Sequence, residues 1–198
     1  MARPVQVDRE QALKSAREIF WRRGYGATSM NHLLEATGMG SGSFYAAFVS
    51  KAGLFELVVA NYCAWSGKQF ESLRHRYRGL DVLRAFLEKT LINVSNDNRR
   101  KGCLLVNSAL ELEGLEPHLH GLVSLGLEQL EREIHRCLVE ADEDGRLREG
   151  FDIQESVGLL MSLIEGLRVG SRLGLSREQA RRRVNAMLAM LSSTEGGN

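Results

Sequence analysis

Proline is scarce in this chain. Pro4 and Pro117 are the only two among 198 residues, so almost every position is open to helix. Cysteine is scarce too. Cys63, Cys103 and Cys137 are odd in number and widely spaced, which argues against a disulfide framework or a zinc knuckle and favours reduced thiols. No apolar run approaches the ~18 residues of a membrane span. The opening Met1-Ala2-Arg3-Pro4 lacks the apolar stretch of a secretory signal. A cytoplasmic protein with no membrane partner is therefore the expectation. No strand-like alternation stands out, and no glycine-rich phosphate loop, nucleophile elbow or pair of carboxylates at a shared site is evident, which speaks against an enzyme. His118 with His120, and His135 with Cys137, lie two apart on helical stretches. That spacing sends side chains to different faces, so neither a metal site nor a cofactor is expected.

Net charge is also nearly absent, at +1, but it is unevenly spread. Residues 1–51 carry seven Lys/Arg against four Asp/Glu, and residues 52–106 carry nine against five. Residues 107–165 reverse this, with four against fourteen, and residues 166–198 return to six against two. A basic N-terminal third beside an acidic middle permits a nucleic-acid partner that the overall charge would not suggest.

What the sequence does contain is helical periodicity from end to end, so the fold class is all-α. A first helix opens at Asp8, with Gln11 three residues on, buries Ala12, Leu13, Ala16, Ile19 and Phe20, and stops at Gly24. Thr28-Ser29 caps a short second helix that stops at Gly38, and Ser41 or Gly40 starts a short third. Ser50 caps a fourth that runs to about Gly79. Helices are then expected over about 81–96, 103–114 and 117–145, with polar 96–100 as a loop. Asp152 with Glu155, and Ser176 with Gln179, are capping boxes for the last two helices, and residues 192–198 read as a frayed tail.

The informative feature is the pair of short helices joined by Thr37-Gly38-Met39-Gly40. Gly38 suits the left-handed conformation of a tight turn. The next helix carries Gly42, Ser43, Ala46 and Ala47, small enough for close entry into a major groove, while Phe44 and Phe48 face inward. The spacing alone also fits an ordinary helical hairpin.

The residues go further. Thr28-Ser29-Met30, Leu33-Leu34-Glu35-Ala36-Thr37-Gly38-Met39, then Gly42-Ser43-Phe44-Tyr45, Phe48 and Ser50-Lys51 closely resemble, without a gap, the DNA-binding domain of the TetR family of repressors. The resemblance implies a three-helix helix-turn-helix domain over 1–50 and a helical ligand-binding and dimerisation body over 51–198. It places Thr28 and Ser29 against a phosphate, Ser41, Gly42 and Ser43 against base edges, Tyr45 and Lys51 on the DNA backbone, and Arg3 in the minor groove. Gly40, Ser41, Ala46 and Ala47 depart from the family's usual polar, basic and aromatic choices, and each departure removes a potential DNA contact. Binding that leans on DNA shape and water follows.

The implied partners are a palindromic double-stranded operator, a second copy of the chain and a small-molecule inducer. Two recognition helices must sit ~34–36 Å apart, which requires a dimer. Leu163 and Leu167 on one helix, with Val184, Leu188 and Leu191 on the last, are its expected faces. Trp65, Phe86, Leu110, Leu122, Met161 and Ile164 are the expected lining of a ligand cavity, and each also reads as plain core. Cys103 follows Arg99-Arg100-Lys101-Gly102 at a helix start, where cations and the helix dipole favour thiolate. Gly102-Cys103-Leu104-Leu105 also resembles a branch of the family that includes electrophile and oxidant sensors, so the releasing signal is either a small molecule or an electrophile. Cys63 and Cys137 read as core. Two other readings stay open: a helical thiol enzyme built on Cys103, and a helical interaction module that has lost DNA binding. Activation in place of repression also stays open.

Overall fold

A computed structural model describes residues 9–192. Ten α-helices occur among them: α1 (Arg9–Arg23), α2 (Met30–Thr37), α3 (Ser41–Phe48), α4 (Lys51–Arg74), α5 (Leu80–Leu87), α6 (Asn96–Lys101), α7 (Leu104–Leu112), α8 (Pro117–Glu143), α9 (Ile153–Arg172) and α10 (Arg177–Ala189). No strand forms among the described residues; Leu147 and Ser192 make an isolated antiparallel bridge. The expected Asp8 cap, the Arg3 arm and the tail beyond Ser192 lie outside the described residues.

Three stretches differ from the periodicity reading. Residues 96–100 are helix, not loop. Ser95 caps α6 by accepting the Asn98 N–H at 3.2 Å, and Arg99, Arg100 and Lys101 fill its last turn, where cations offset the helix dipole. The helix expected over 81–96 widens into a π-helical segment, Glu88–Ile92, and ends there. Such a segment leaves carbonyls that need outside donors. Arg168 supplies them, donating to the Thr90 carbonyl at 2.6 Å and to its hydroxyl at 2.7 Å. Finally, α4 ends at Arg74, short of Gly79.

By packing, the described chain falls into two units, which is a different grouping from a cut at residue 50. One unit joins the residues up to Cys63 with Asn107–Gly126. In it, Phe20 packs edge-on to Phe55 at 5.1 Å, Tyr25 meets Phe55 at 5.1 Å, and Trp21 meets Tyr62 at 5.3 Å. Aromatic pairs tie the start of α4 to α1, so α4 cannot be assigned wholly to a separate body.

The other unit joins Ala64–Val106 with the residues from Leu127 onward. Its core is one apolar cluster with Phe70 stacked on Phe86 at 4.0 Å, and with Leu83, Leu87, Ile92, Ile134, Leu138, Val157, Leu160, Val184 and Leu188 buried around them. Beside it sits a charged group. Arg74 donates to Glu133 at 2.5 Å and to Glu140 at 3.3 Å, with its own side chain only 12% exposed. Burial and the adjoining carboxylates push the Cys137 thiol up to about 12 despite Arg74, so Cys137 is a small buried hydrophobe. Among the described residues no single helix is long and apolar enough to cross a membrane.

Arg74→Met should therefore lower stability by about 2–4 kcal/mol in chemical denaturation, because half-buried Glu133 loses its ion-pair partner and Glu140 is left with Arg136 and the Gly79 N–H. Burial alone would raise the Glu140 pKa, but the Gly79 N–H and Arg74 outweigh it and hold the carboxyl below its ordinary value. A depressed carboxylate contributes stability that is full above its unfolded pKa and is lost as pH falls through the folded one. Wild type should thus lose this increment on acidification below the ordinary carboxylate range. Glu140→Gln should show a shallower loss of melting temperature over that window; equal slopes would refute the assignment.

Candidate functional site

The second and third helices form a capped, rigid corner. Ser29 is the N-cap of α2, accepting the His32 N–H at 3.2 Å, while the Ser29 N–H donates to His32 Nδ1 at 3.1 Å. His32 thus fills the position that Glu or Gln takes in most capping boxes, a role the sequence reading missed. Gly38 ends α2 at φ +66, in the left-handed region, and its N–H returns to the Glu35 carbonyl. Thr37 is buried and donates its hydroxyl to the Leu33 carbonyl at 2.7 Å.

On α3, Phe44 is fully buried and Phe48 nearly so, whereas Ser41, Gly42, Ser43, Tyr45 and Ala46 are exposed. The start of α3 is capped by Gly40 without any side-chain bond. Space beside Gly42 is open, with no atom within 4 Å of where a Cβ would stand. The helix therefore offers a smooth polar face of hydroxyls and backbone, backed by two anchoring rings.

The turn from α3 to α4 is unusually tight. Val49 has φ +64 and ψ −48, and the Ser50 N–H reaches back to the Phe48 carbonyl at 2.6 Å. That is a γ-turn with a β-branched residue in a strained conformation. Ser50 then caps α4 by accepting the Gly53 N–H at 3.0 Å. A Cβ at Gly53 would stand 2.5 Å from the Phe48 carbonyl oxygen, so glycine is required there for the close approach.

The turn from α1 to α2 is held from far away in sequence. Glu111 on α7 accepts the Tyr25 N–H at 2.8 Å and the Gly26 N–H at 2.7 Å. Its partners are more than eighty residues away, so no local sequence signal could have found them.

Of the residues expected to touch DNA, Ser41, Gly42, Ser43 and Tyr45 are exposed on α3, and Ser29 is exposed at the cap of α2. Thr28 does not join them. It is fully buried, and its hydroxyl donates to the Gly24 carbonyl at 2.5 Å, so it closes the turn and cannot hold a phosphate with its side chain. Lys51 is half-buried, with Nζ 4.2 Å from the Tyr25 ring centre. Burial lowers its pKa, against the pull of Glu111 and Glu116.

The expected ligand residues scatter. Phe86, Met161 and Ile164 lie in the core of the second unit. Trp65 is 39% exposed and Leu110 is 76% exposed, so neither is core. On α7 the buried positions are Leu104, Leu105, Ser108 and Leu112, and Leu110 falls on the opposite side of the helix. Leu122 is half-buried, as is Cys63, which was expected in the core. Cys103 is 6% exposed and immediately precedes α7. The nearby cations are engaged elsewhere: Arg99 donates to the Leu175 carbonyl, and Lys101 lies 4.0 Å from Asp97.

The expected dimer residues divide as well. Leu167, Val184, Leu188 and Leu191 are buried in the chain's own core, leaving them no area to give a partner. Leu163 is exposed, and Leu159, Val169 and Leu173 are exposed with it on α9 or just beyond its end. The outward positions of α10 are mostly charged or polar (Arg177, Glu178, Gln179, Arg181, Arg182, Arg183 and Asn185), with Ala186 and Ala189 exposed toward its end and Met190 just past it. The periodicity had selected the inward face of α10.

Comparison with known proteins gives two family matches. Residues 12–58 match the model for bacterial regulatory proteins of the tetR family, and residues 79–187 match the tetracyclin repressor-like C-terminal domain. The chain is 27% identical over 179 residues to the HTH-type transcriptional repressor ComR of Escherichia coli (strain K12), covering 89% of this chain and 85% of that one. It is 22% identical over 188 residues to the HTH-type transcriptional repressor DhaR of Mycobacterium sp. (strain GP1), covering 94% of each. Among solved structures, a cysteine mutant of the regulator CifR, complexed with 26 bp double-strand operator DNA, superposes with a TM-score of 0.76 at 27% identity, over 96% of this chain and 100% of that one. A TetR-family regulator from Agrobacterium tumefaciens has the same fold, with a TM-score of 0.84 at 19% identity, over 93% and 97% of the two chains.

The corner's rigidity can be tested residue by residue. Val49→Gly should relieve the γ-turn strain and raise the melting temperature by roughly 2–4 °C, whereas Gly53→Ala should lower it, since the added methyl meets a backbone oxygen. Glu111→Gln keeps one acceptor oxygen and should cost about 1–2 kcal/mol, with faster hydrogen exchange at the Tyr25 and Gly26 amides. Unchanged exchange there would remove Glu111 from its assigned role.

Proposed function

Since the chain belongs to the TetR family of bacterial regulatory proteins, we propose that it is a repressor that acts as a homodimer on a palindromic operator and leaves it on a chemical signal. The observation that carries this is the outer face of α3. Ser41, Gly42, Ser43 and Tyr45 stand exposed on a helix fixed from behind by Phe44 and Phe48. Such a face enters a major groove without steric conflict. Its hydroxyls reach bases or phosphates, and the helix start has N–H groups to offer an anion.

Ser29 at the start of α2, and Tyr45, position the corner on phosphates. Ser41, Gly42 and Ser43 lie on base edges. Lys51 adds charge near the backbone, its ammonium already balanced on Tyr25. The second copy docks through the exposed side of α9, where Leu159 and Leu163 stand beside Gly158, Ser162 and Gly166, and through Ala186 and Ala189 of α10 with Met190 just past its end. Small residues at these positions allow two helices to approach closely, and a two-fold interface uses the same patch on both chains. Occlusion of a promoter needs no further domain. The signal acts through the second unit, either as a small apolar ligand or as modification of the Cys103 thiol.

The test is fluorescence anisotropy with the palindromic DNA upstream of the protein's own coding sequence. Affinity should fall steeply with salt, with a log–log slope of about −0.9 per phosphate neutralised. Ser43→Ala should change the ranking of operator variants, whereas Lys51→Ala should weaken all of them alike. Treatment with a quinone or mild oxidant should release wild type and spare Cys103→Ser if the thiol is the switch. Equal behaviour of the two proteins assigns the signal to an apolar ligand. Absence of salt-dependent binding to any duplex would overturn the operator reading.

A further inference from the structure

We propose that a cleft formed by α6 and the α9–α10 turn binds a small oxyanion, the phosphate or carboxylate group of a metabolite. The cleft encloses about 470 Å³, within the ~300–1,000 Å³ usual for small-molecule sites. Arg99 and Arg100 line it from α6, and Arg177 lines it from the start of α10, together with Asn96, Leu175 and Ser176. Three arginines thus line one concavity, and no carboxylate is among the lining residues. A concave surface of one sign focuses its field on an incoming counter-charge.

Arg99 supplies the sharper sign. It is only 9% exposed, which is rare for an arginine. One terminal nitrogen donates to the Leu175 carbonyl, and the other reaches Asn96 Oδ1 at 3.4 Å. Its Nε is buried and has no acceptor. A buried donor without an acceptor is costly, and in a folded protein it calls for an absent partner. Held by these two bonds, the guanidinium is pre-organised, and each terminal nitrogen keeps a second N–H. An oxyanion is its natural complement.

The surroundings agree. Ser176 and Gln179 close a capping box at the start of the thirteen-residue α10, and Ser176 and Arg177 line the cleft there, so the positive end of the helix dipole lies beside it. Arg177 donates to the Val94 carbonyl at 3.0 Å, which steadies its head while leaving further donors. The carboxylates closest along the chain are engaged elsewhere: Asp97 lies 4.0 Å from Lys101, and Glu178 pairs with Arg182 at 2.8 Å. None of the lining residues belongs to α1–α4 or carries an assigned role toward DNA. The site therefore stands or falls independently of the operator reading.

The probes are inorganic phosphate and succinate, added to the full chain at constant ionic strength with chloride as the control, and read by thermal shift and isothermal titration calorimetry. The expected result is a saturable rise in melting temperature and a Kd of about 1 mM or tighter for at least one oxyanion, at one site per chain. Phosphate alone, succinate alone or both would show which oxyanion geometry the cleft accepts. Arg100→Ala with Arg177→Ala alters two exposed positions and should keep the helical circular dichroism spectrum. It should weaken binding by roughly tenfold or more. Arg132→Ala, an exposed change on α8, should leave binding unchanged. Arg99→Met should abolish binding; if it fails to fold, the double variant still decides. A response no larger than that to chloride, or one equal in the double variant, would overturn the site.

Discussion

Everything the N-terminal unit offers to a partner depends on the burial of two rings. α3 has eight residues, too short to hold its shape alone. Phe44 and Phe48 lie one turn apart and are almost completely withdrawn from solvent. At about 25 cal/mol per Å² of apolar surface, two such rings outweigh the weak helix propensity of Ser-Gly-Ser. The exposed side is consequently spared any stabilising duty and can be as small and polar as groove entry requires. The same burial explains the strain at Val49. With Phe48 anchored and α4 required to start at once, the chain turns within one residue, and Gly53 makes room for it.

The architecture was legible where a periodic apolar face met a capping residue. Asp152, Ser176 and Ser29 all cap the helices expected of them, and Gly38 occupies the left-handed turn that its position predicted. α6 was not legible because Asn-Asp-Asn-Arg-Arg-Lys has no apolar stripe. Its one local signal was Ser95 before an acidic first turn and a basic last turn, a charge order that periodicity ignores. Nor could residue type foretell that Arg99 and Lys101 would be buried.

The outward and inward faces of α9 and α10 show a different limit. Periodicity shows that a helix has an apolar side, but not which neighbour covers it. On α10 the strongest stripe, Val184, Leu188 and Leu191, is consumed within the chain. What remains outside is mostly charged or polar, with Ala186, Ala189 and Met190 the small or apolar exceptions near its end. On α9 both sides are apolar, and composition alone could not rank them. For the residues expected to face DNA, resemblance supplied roles one by one. Thr28 fails because a hydroxyl near a helix start serves the turn as readily as a phosphate, and here the Gly24 carbonyl claims it.

The face of α3 also constrains how sequence is read. Its exposed stretch, Ser41 to Ala46, carries two hydroxyls, one phenol and no guanidinium or amide side chain. The bidentate pairings that discriminate guanine or adenine most strongly need Arg, Lys, Asn or Gln, and none is present on this helix. Serine can donate or accept, so it tolerates several bases. On the proposed operator reading, specificity would then come from the fit of the backbone to groove width, from bridging waters and from the spacing of two copies on a palindrome. A rigid corner suits that mode, because shape is read well only by a surface that does not yield. The long-range grip of Glu111 on the α1–α2 turn, the Ser29–His32 box and the tight α3–α4 turn are three independent restraints on that same corner.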